Sequence, residues 1–283
     1  MAAHAVLNAI AAAGIAVQQV GLLLVATTTP DEPCPATACR VQALIGARHA
    51  VAMDVSAACS GWLFATKVAQ SWLAVNPDVE HAVVVGSETY SRFLDADDRA
   101  TASLFGDGAA ATVISRVAPG EGFGPIALGS DGTRAEFAWI PAGGSRMPSS
   151  QETVRRRQHS VHMDGRAARI FVEDIFGKLA IEALNRTKTN PTEISAVVAH
   201  QPNPVLLRKA YCRTALPPDR LVVTGDDVGN LGAGALPHGL VKAATEHNLS
   251  PGDKILMIAF GAGLTWGTTV LTWSGAATQT TGI

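Results

Sequence analysis

Three polar side chains of the types used in nucleophilic chemistry lie at the ends of apolar segments: Cys59, His200 and Asn230. Cys59 lies among small residues where an apolar run gives way to a helical pattern. A helix N-terminus stabilises a thiolate, so this position is expected to lower the pKa of the thiol. A cysteine at such a turn is also compatible with packing alone.

His200 and Asn230 have alternative readings when each is taken alone. His200 follows an apolar strand pattern at 196–199, a context in which many histidines are satisfied core residues. Asn230 lies in the glycine-rich run 229–235, where an asparagine can simply cap a helix or occupy a left-handed turn. The three groups are more informative as a set. A thiolate can accept an acyl group, and an imidazole and a neutral amide beside it can then stabilise an enolate on a second substrate.

Composition limits the class of protein that can carry these residues. The chain has 283 residues, of which 47% are hydrophobic and 16% charged, with a formal net charge of -2. These values exclude a disordered chain and argue against a nucleic-acid-binding protein. The low charge fraction suggests surface buried against another subunit.

The sequence gives no sign of membrane insertion, export or a metal site. No stretch reaches the ~18 unbroken apolar residues that a membrane span needs. The apolar N-terminus has no Lys or Arg before it, which favours a cytoplasmic protein over a secreted one. The four cysteines are too few and too scattered for a disulfide framework, and no His, Cys or Asp cluster has metal-ligand spacing.

Apolar strand patterns alternate with helical patterns along most of the chain. Strands are predicted at 20–26, 50–55, 81–86, 109–114, 196–200, 220–224, 254–260 and 268–272, and helices at 2–13, 59–75, 166–184 and 236–247. Strands that are apolar on both faces indicate an α/β protein whose sheets are covered on each side. The pattern divides the chain into an N-terminal half, 1–117, a Gly-, Pro- and Arg-rich linker, 118–162, and a C-terminal half, 163–283.

The two halves look alike, since Cys59 and His200 each follow a strand and precede a helix. Ligands and chemistry in α/β proteins lie at the C-terminal ends of strands. This arrangement predicts a duplicated fold with one catalytic contribution from each half.

Several motifs occur in the same order as in one enzyme family. They run from Asp54 to Gly61, from Leu104 to Ala110, from His200 to Asn203, over Gly229-Asn230 and from Phe260 to Gly267, with supporting runs from Ala26 to Asp31 and from Gly86 to Glu88. Together they resemble the β-ketoacyl-acyl carrier protein synthase III family of the thiolase superfamily over nearly the whole chain.

The resemblance implies a five-layered α-β-α-β-α thiolase fold, a homodimer and a Cys59-His200-Asn230 triad. It implies that Cys59 takes an acyl group from acyl-CoA, and that malonyl carrier protein then condenses with it as carbon dioxide leaves. The backbone N–H groups of Cys59 and Ala262 would form the oxyanion hole, and Phe260 would line the site. The substrates are thioesters, so no other cofactor is implied.

The chain departs from the family pattern in three places. Family members begin some residues earlier with a strand inside the first sheet, so an exposed sheet edge is expected here. Arg169 stands where the family has Phe beside the substrate tunnel, and facing the tunnel it would favour an acidic acyl chain. A basic contact to CoA or carrier after His200 is absent, and Arg208 or Lys209 would replace it.

Two other functions remain compatible with the sequence. In one, the acyl group passes from Cys59 to a hydroxyl or amine with His200 as general base, and no decarboxylation occurs. In the other, the chain is a truncated, non-catalytic paralogue that serves as a partner subunit.

Overall fold

The computed structural model describes residues 1–247 and 249–275 of the chain. The helices are α1 (Ala2–Ala13), α2 (Thr37–Ile45), α3 (Gly61–Val75), α4 (Arg99–Ala102), α5 (Gln151–Arg155), α6 (Gly165–Thr187), α7 (Pro204–Tyr211), α8 (Gly225–Val228) and α9 (Ala235–Glu246). The strands are β1 (Val20–Ala26), β2 (Val51–Val55), β3 (His81–Thr89), β4 (Asp107–Ser115), β5 (Gly122–Phe123), β6 (Ala127–Ser130), β7 (Ala138–Trp139), β8 (His162–Met163), β9 (Ile194–Ala199), β10 (Leu221–Val222), β11 (Lys254–Gly261) and β12 (Thr265–Thr272).

Helix α1 and strand β1 have the bounds that the sequence predicts. Gly14 ends α1 in the left-handed region, with φ 65°, and its N–H bonds the carbonyls of the last turn. Helix α2 has no side-chain cap of its own. The Asp54 carboxylate on β2 instead accepts hydrogen bonds from the N–H groups of Thr37 and Ala38, both at 2.8 Å. Because this cap comes from a distant strand, the local sequence carries no helix-start signal.

The strands form two sheets of the same topology. The first has the order β2-β1-β3-β4 and the second contains β10-β9-β11-β12. In each sheet, the first three strands in this order are parallel to one another and the fourth is antiparallel to its neighbour. The duplication predicted from the sequence is therefore present, but its alignment was wrong. The counterpart of β2 is β10 rather than β9, so Cys59 and His200 do not occupy equivalent positions.

Five layers follow from three apolar clusters. Helices α1 and α2 cover the outer face of the first sheet, where Val6, Val41 and Leu23 are buried. Helices α3 and α9 fill the space between the sheets, with Trp62 and Leu236 fully buried. Helices α6 and α7 cover the outer face of the second sheet. The predicted five-layered thiolase-like α/β fold is confirmed.

Residues 118–162, assigned from the sequence to a linker, contribute to the second sheet. Strands β5 and β6 both pair with β12 in antiparallel register. In the described residues, no strand equivalent to β5 or β6 pairs with the outer side of β4, which is the counterpart of β12 in the first sheet. The expected edge therefore lies at β4, at the margin of the first sheet and not inside it, because β2, β1, β3 and β4 pair without a gap.

A search of the described helices finds none that is both long enough and apolar enough to cross a membrane. The cytoplasmic location stays a prediction.

Candidate active site

The three residues singled out from the sequence meet at one cavity. Cys59, His200 and Asn230 all line a cavity of about 930 Å³ between the two halves. Cys59 follows β2, His200 follows β9, and Asn230 follows α8 beyond β10. Two strand ends, one in each sheet, and the segment after α8 thus bring a thiol, an imidazole and an amide to the same space.

A short turn presents the Cys59 thiol. Ala58 has φ 47°, in the left-handed region that residues other than glycine seldom adopt. A 3₁₀ turn, Ala58–Ser60, then leads directly into α3. Such backbone conformations cost about 1–3 kcal/mol and persist only where the surroundings hold them. The chain therefore holds the nucleophile at a partly buried bend that local preferences alone would not produce.

The loop between β11 and β12 closes against this turn. A Cβ on Gly261 would lie 2.7 Å from the Cys59 nitrogen, so only glycine permits the approach. The Thr265 hydroxyl lies 3.0 Å from the Ala57 carbonyl oxygen and 3.1 Å from that of Ala262. Thr265 therefore connects the two segments whose N–H groups, at Cys59 and Ala262, are the predicted oxyanion donors. The sequence analysis did not identify this residue.

Burial keeps the Cys59 sulfur protonated. Loss of hydration raises the pKa of the thiol to about 12, and the nearby Glu88 carboxylate acts in the same direction. The expectation that the helix N-terminus lowers this pKa was wrong, because desolvation outweighs the helix dipole. Attack by the sulfur must therefore be accompanied by removal of its proton.

His200 is a neutral imidazole. Its side chain is 3% exposed and packs edge-on against Phe260, with ring centroids 5.2 Å apart. Burial lowers its pKa to about 3, and among the described residues its Nδ1 has no hydrogen-bond partner. A neutral ring here can donate one hydrogen bond, but it is a weak base for a second proton.

A hydrogen bond fixes the orientation of the Asn230 amide. Its Oδ1 accepts the N–H of Gly232 at 2.8 Å. Its backbone N–H donates to the Leu104 carbonyl at 2.8 Å, and its own carbonyl accepts from Gly106 at 3.0 Å. With Oδ1 occupied, the side-chain NH₂ is the group left to serve the cavity, as a donor.

Gln201 joins the two segments of the second half that carry His200 and Asn230. Its Nε2 donates to the carbonyls of Ala199 and Val222 at 3.0 and 3.1 Å. Its Oε1 accepts the N–H groups of Thr224 and Gly225, both at 3.1 Å. This buried amide is fully used, and it locks the end of β9 to the start of α8.

The remaining predicted site residues lie at different depths. Phe260 is buried in the lining, whereas Arg169 and Lys209 line the cavity at its solvent-exposed side. Lys209 bonds Glu173 at 2.8 Å. Arg208 does not line the cavity and forms an ion pair with Asp226. Among the described lining residues, Arg169 and Lys209 carry positive charge and no carboxylate is present.

A buried acid beside the nucleophile was not assigned any chemistry from the sequence. Glu88 is 1% exposed and accepts hydrogen bonds from the Thr28 N–H at 3.1 Å and the Thr29 hydroxyl at 2.7 Å. Tyr90, two residues on, lines the cavity. The run from Gly86 to Glu88 served only as a mark of resemblance, and its burial depends on contacts that appear only in three dimensions.

No group of three or more His, Cys, Asp or Glu in the described part of the chain is placed to hold a metal ion. The absence of a cofactor stays a prediction.

Comparisons with known proteins point to one family. The family model for 3-oxoacyl-(acyl-carrier-protein) synthase III matches residues 53–132, and the model for the C-terminal part of that enzyme matches residues 184–273. The beta-ketoacyl-(acyl-carrier-protein) synthase III of Caldanaerobacter subterraneus subsp. tengcongensis is 38% identical over 97% of this chain and 82% of its own length. The chain belongs to the 3-oxoacyl-(acyl-carrier-protein) synthase III family.

Other members agree in sequence and in structure. The synthase III of Clostridioides difficile is 38% identical over 97% of this chain and 83% of its own. The structure of the Pseudomonas aeruginosa enzyme superposes with a TM-score of 0.88 at 32% identity, covering 98% of this chain and 83% of that one. The Thermus thermophilus structure gives a TM-score of 0.82 at 35% identity, covering 92% and 79%.

Replacing Gln201 by Leu is expected to lower the free energy of unfolding by about 3 kcal/mol, because two N–H and two carbonyl groups lose their buried partner. Urea unfolding followed by tryptophan fluorescence measures the loss. Gln70→Leu is the matched control, since this half-buried amide donates one hydrogen bond, to the Phe123 carbonyl at 3.3 Å. Equal losses in the two variants would contradict a bridging role for Gln201.

Proposed function

We propose that this protein is a ketosynthase III: an acyltransferase that forms an acyl-Cys59 thioester from acyl-CoA and condenses it with malonyl carrier protein. The observation that carries the proposal is the convergence of Cys59, His200 and Asn230 on one cavity. Membership of the synthase III family supports it. The product is a β-ketoacyl thioester, as fatty acid or polyketide biosynthesis requires.

In the acylation step, the Cys59 sulfur attacks the carbonyl carbon of the donor thioester. The carbonyl oxygen gains charge and lies between the N–H groups of Cys59 and Ala262, which the Thr265 contacts hold in place. A single oxyanion donor stabilises such a transition state by about 3 kcal/mol. The donor C–S bond then breaks, CoA leaves as its thiol, and the acyl group remains on the sulfur.

In the condensation step, the thioester carbonyl of malonyl carrier protein lies against His200 and Asn230. Each donates a hydrogen bond, from an imidazole N–H and from the amide NH₂, to the oxygen that becomes an enolate as carbon dioxide leaves. The enolate carbon attacks the acyl carbon on Cys59. A carbon–carbon bond forms, the C–S bond breaks, and the Cys59 thiolate takes a proton from water to regenerate the thiol.

The state of His200 favours condensation over acyl transfer to a hydroxyl or amine. The latter reaction needs a general base, and a base works best with a pKa near the operating pH. Burial lowers the pKa of His200 to about 3. A neutral imidazole can donate the hydrogen bond that stabilises an enolate. As a weak base, it would be a poor catalyst of acyl transfer to an alcohol.

Charge at the cavity mouth supports binding of anionic substrates there. In the described lining, the positively charged side chains are those of Arg169 and Lys209, and both are exposed. The phosphates of CoA and of the carrier's phosphopantetheine would pass them on the way in. Arg208, on the same helix as Lys209, would meet the carrier from outside the cavity.

We also propose a homodimer formed through β2. This strand pairs with β1 on one side and forms the edge of the first sheet opposite to β4 in the described residues. Its first residue, Val51, is 45% exposed, and Leu44 on neighbouring α2 is 75% exposed. Pairing with β2 of a second copy would satisfy the edge hydrogen bonds and cover both side chains.

Incubation with a panel of acyl-CoAs is expected to add one acyl mass to the protein, and Cys59→Ala is expected to abolish the adduct. With malonyl carrier protein, release of carbon dioxide follows. His200→Ala should retain the adduct but release carbon dioxide about 100-fold more slowly, as expected for one lost oxyanion donor. Intact mass and labelled carbon dioxide are the measurements.

Cys212→Ala, which changes an exposed thiol, is the control for the adduct. Absence of any adduct would indicate a non-catalytic paralogue. An adduct that is consumed by alcohols or amines without release of carbon dioxide would indicate the transfer reaction.

Arg169→Phe is expected to lower kcat/KM for a donor with a terminal carboxylate, such as succinyl-CoA, about fivefold relative to butyryl-CoA, which is the range of an exposed ion pair. Steady-state rates with the two donors measure the ratio. Arg166→Phe, an exposed arginine of the same helix outside the lining, is the control. An unchanged ratio in Arg169→Phe would show that this charge does not select the acyl chain.

Light scattering is expected to give a mass twice the chain's 29.3 kDa. Val51→Lys should shift the protein towards monomer, because each interface would then bury two like charges. Ile181→Lys, which changes a residue 60% exposed on α6, should remain dimeric. A dimer that withstands Val51→Lys would place the interface elsewhere.

A further inference from the structure

A chain of hydroxyl groups leads from the nucleophile to a buried acid. Cys59 and Tyr90 both line the cavity, and interaction with the Tyr90 hydroxyl favours the thiolate form of Cys59 and so acts to lower its pKa. The same hydroxyl lies 2.9 Å from the Thr28 hydroxyl, which donates to Glu88 Oε2 at 3.1 Å. Each hydroxyl can donate in one direction while it accepts from the other, so hydrogen bonds connect Tyr90 through Thr28 to Glu88, and the Tyr90 end of this chain interacts with the thiol.

The chain lies inside the protein but opens on the cavity at the nucleophile. Cys59, Tyr90 and Thr28 line the cavity, whereas Glu88 does not. Tyr90 is 5% exposed and Glu88 1%. A Cβ on Gly232, at φ 53°, would lie 2.9 Å from both the Tyr90 oxygen and Glu88 Cγ. The tight fit leaves the hydroxyls few alternative positions.

Glu88 is also a costly residue for a structural role alone. Among the described residues no lysine or arginine forms an ion pair with it. A buried carboxylate without a cation is expensive, and an amide of the same shape would satisfy many of the same donors. An acid at this position therefore suggests a use for its proton affinity.

We propose that Glu88 is the proton acceptor for Cys59, reached through Tyr90 and Thr28. As the sulfur attacks the donor thioester, the thiol proton passes to the Tyr90 oxygen, the Tyr90 proton to Thr28, and the Thr28 proton to Glu88 Oε2. The sulfur–carbon bond forms and the donor C–S bond breaks. The leaving thiolate takes a proton from water, and Glu88 later returns its own to solvent. The inference rests on the acylation step proposed above.

Charge balance explains why this acceptor suits a buried thiol. A Cys59 thiolate beside an ionised Glu88 would place two negative charges in one desolvated region, whereas the transfer leaves one. Burial raises the pKa of Glu88 to about 7, so the carboxylate is a base at neutral pH. His200, with a pKa lowered to about 3, is a much weaker acceptor.

Few titratable groups face Glu88. In the described structure these are the Cys59 thiol on the 3₁₀ turn and the Tyr90 phenol at the end of β3. The segment after β1 presents the hydroxyls of Thr27, Thr28 and Thr29, and the turn before α9 presents the Ala233 N–H. A titration of Cys59 reactivity near pH 7 would therefore report Glu88.

Alkylation of Cys59 by iodoacetamide tests the relay without an acyl donor. The rate, measured by intact mass between pH 5.5 and 9.5, is expected to rise with a midpoint near 7 in the unmodified protein, because Glu88 must be ionised to accept the proton. Glu88→Gln, Thr28→Val and Tyr90→Phe should each remove that step and slow alkylation at pH 8 at least tenfold. Cys59→Ala identifies the alkylated site.

The sign of the change in Glu88→Gln separates two explanations. If Glu88 only repels the thiolate, removing its charge speeds alkylation, and a faster or unchanged rate overturns the relay. Thr28→Val keeps the carboxylate and its backbone hydrogen bonds, so it and Tyr90→Phe decide the question if Glu88→Gln does not fold. Tyr211→Phe, which removes a buried phenol that bonds the Pro217 carbonyl, is the control and should keep the midpoint.

The acyl-CoA adduct is a separate readout. A protein that shows the midpoint near 7 but forms no adduct would retain the relay and lose the proposed function. A protein that forms the adduct but shows no midpoint near 7 would retain the proposed function and overturn the relay.

Discussion

The Glu88 carboxylate is one of the groups that join the two halves of the molecule around the site. It accepts hydrogen bonds from three consecutive threonines after β1, in the first half, and from the Ala233 N–H, 3.5 Å away in the second. An unpaired buried carboxylate is stable only when its oxygens are well bonded. The turn that carries Asn230 and the hydroxyls beside Cys59 are thus positioned by the same group, which also raises the pKa of the thiol.

A second constraint acts inside the C-terminal half. Gln201 uses both ends of its amide to bind the end of β9 to the segment after β10. His200 and Asn230 therefore keep a fixed separation even though each lies on a loop. Thr265 does the same for the two segments of the predicted oxyanion hole. Sites built on loops need such cross-links because loops are otherwise mobile.

Much of the architecture could be predicted from local patterns, and the rest depends on distant contacts. Strand β1 and helix α1 have apolar patterns and a terminal glycine that define them locally. Helix α2 was not predicted, since its cap comes from Asp54 on a strand. The triad was identified through motif order. The pKa of Cys59 was predicted with the wrong sign, because the sequence shows the helix start but not the burial that outweighs it.

The matched topology of the two sheets has a consequence for how the reaction is divided. Strands β1 and β9 are counterparts, and each is followed by two polar residues, Thr27 and Thr28 in one half, His200 and Gln201 in the other. In the proposed reaction, the first strand end serves removal of the thiol proton and the second serves enolate formation. Equivalent strand ends of the two halves thus carry out different tasks in the proposed reaction, whereas the predicted oxyanion hole takes one N–H group from each half, at Cys59 and at Ala262.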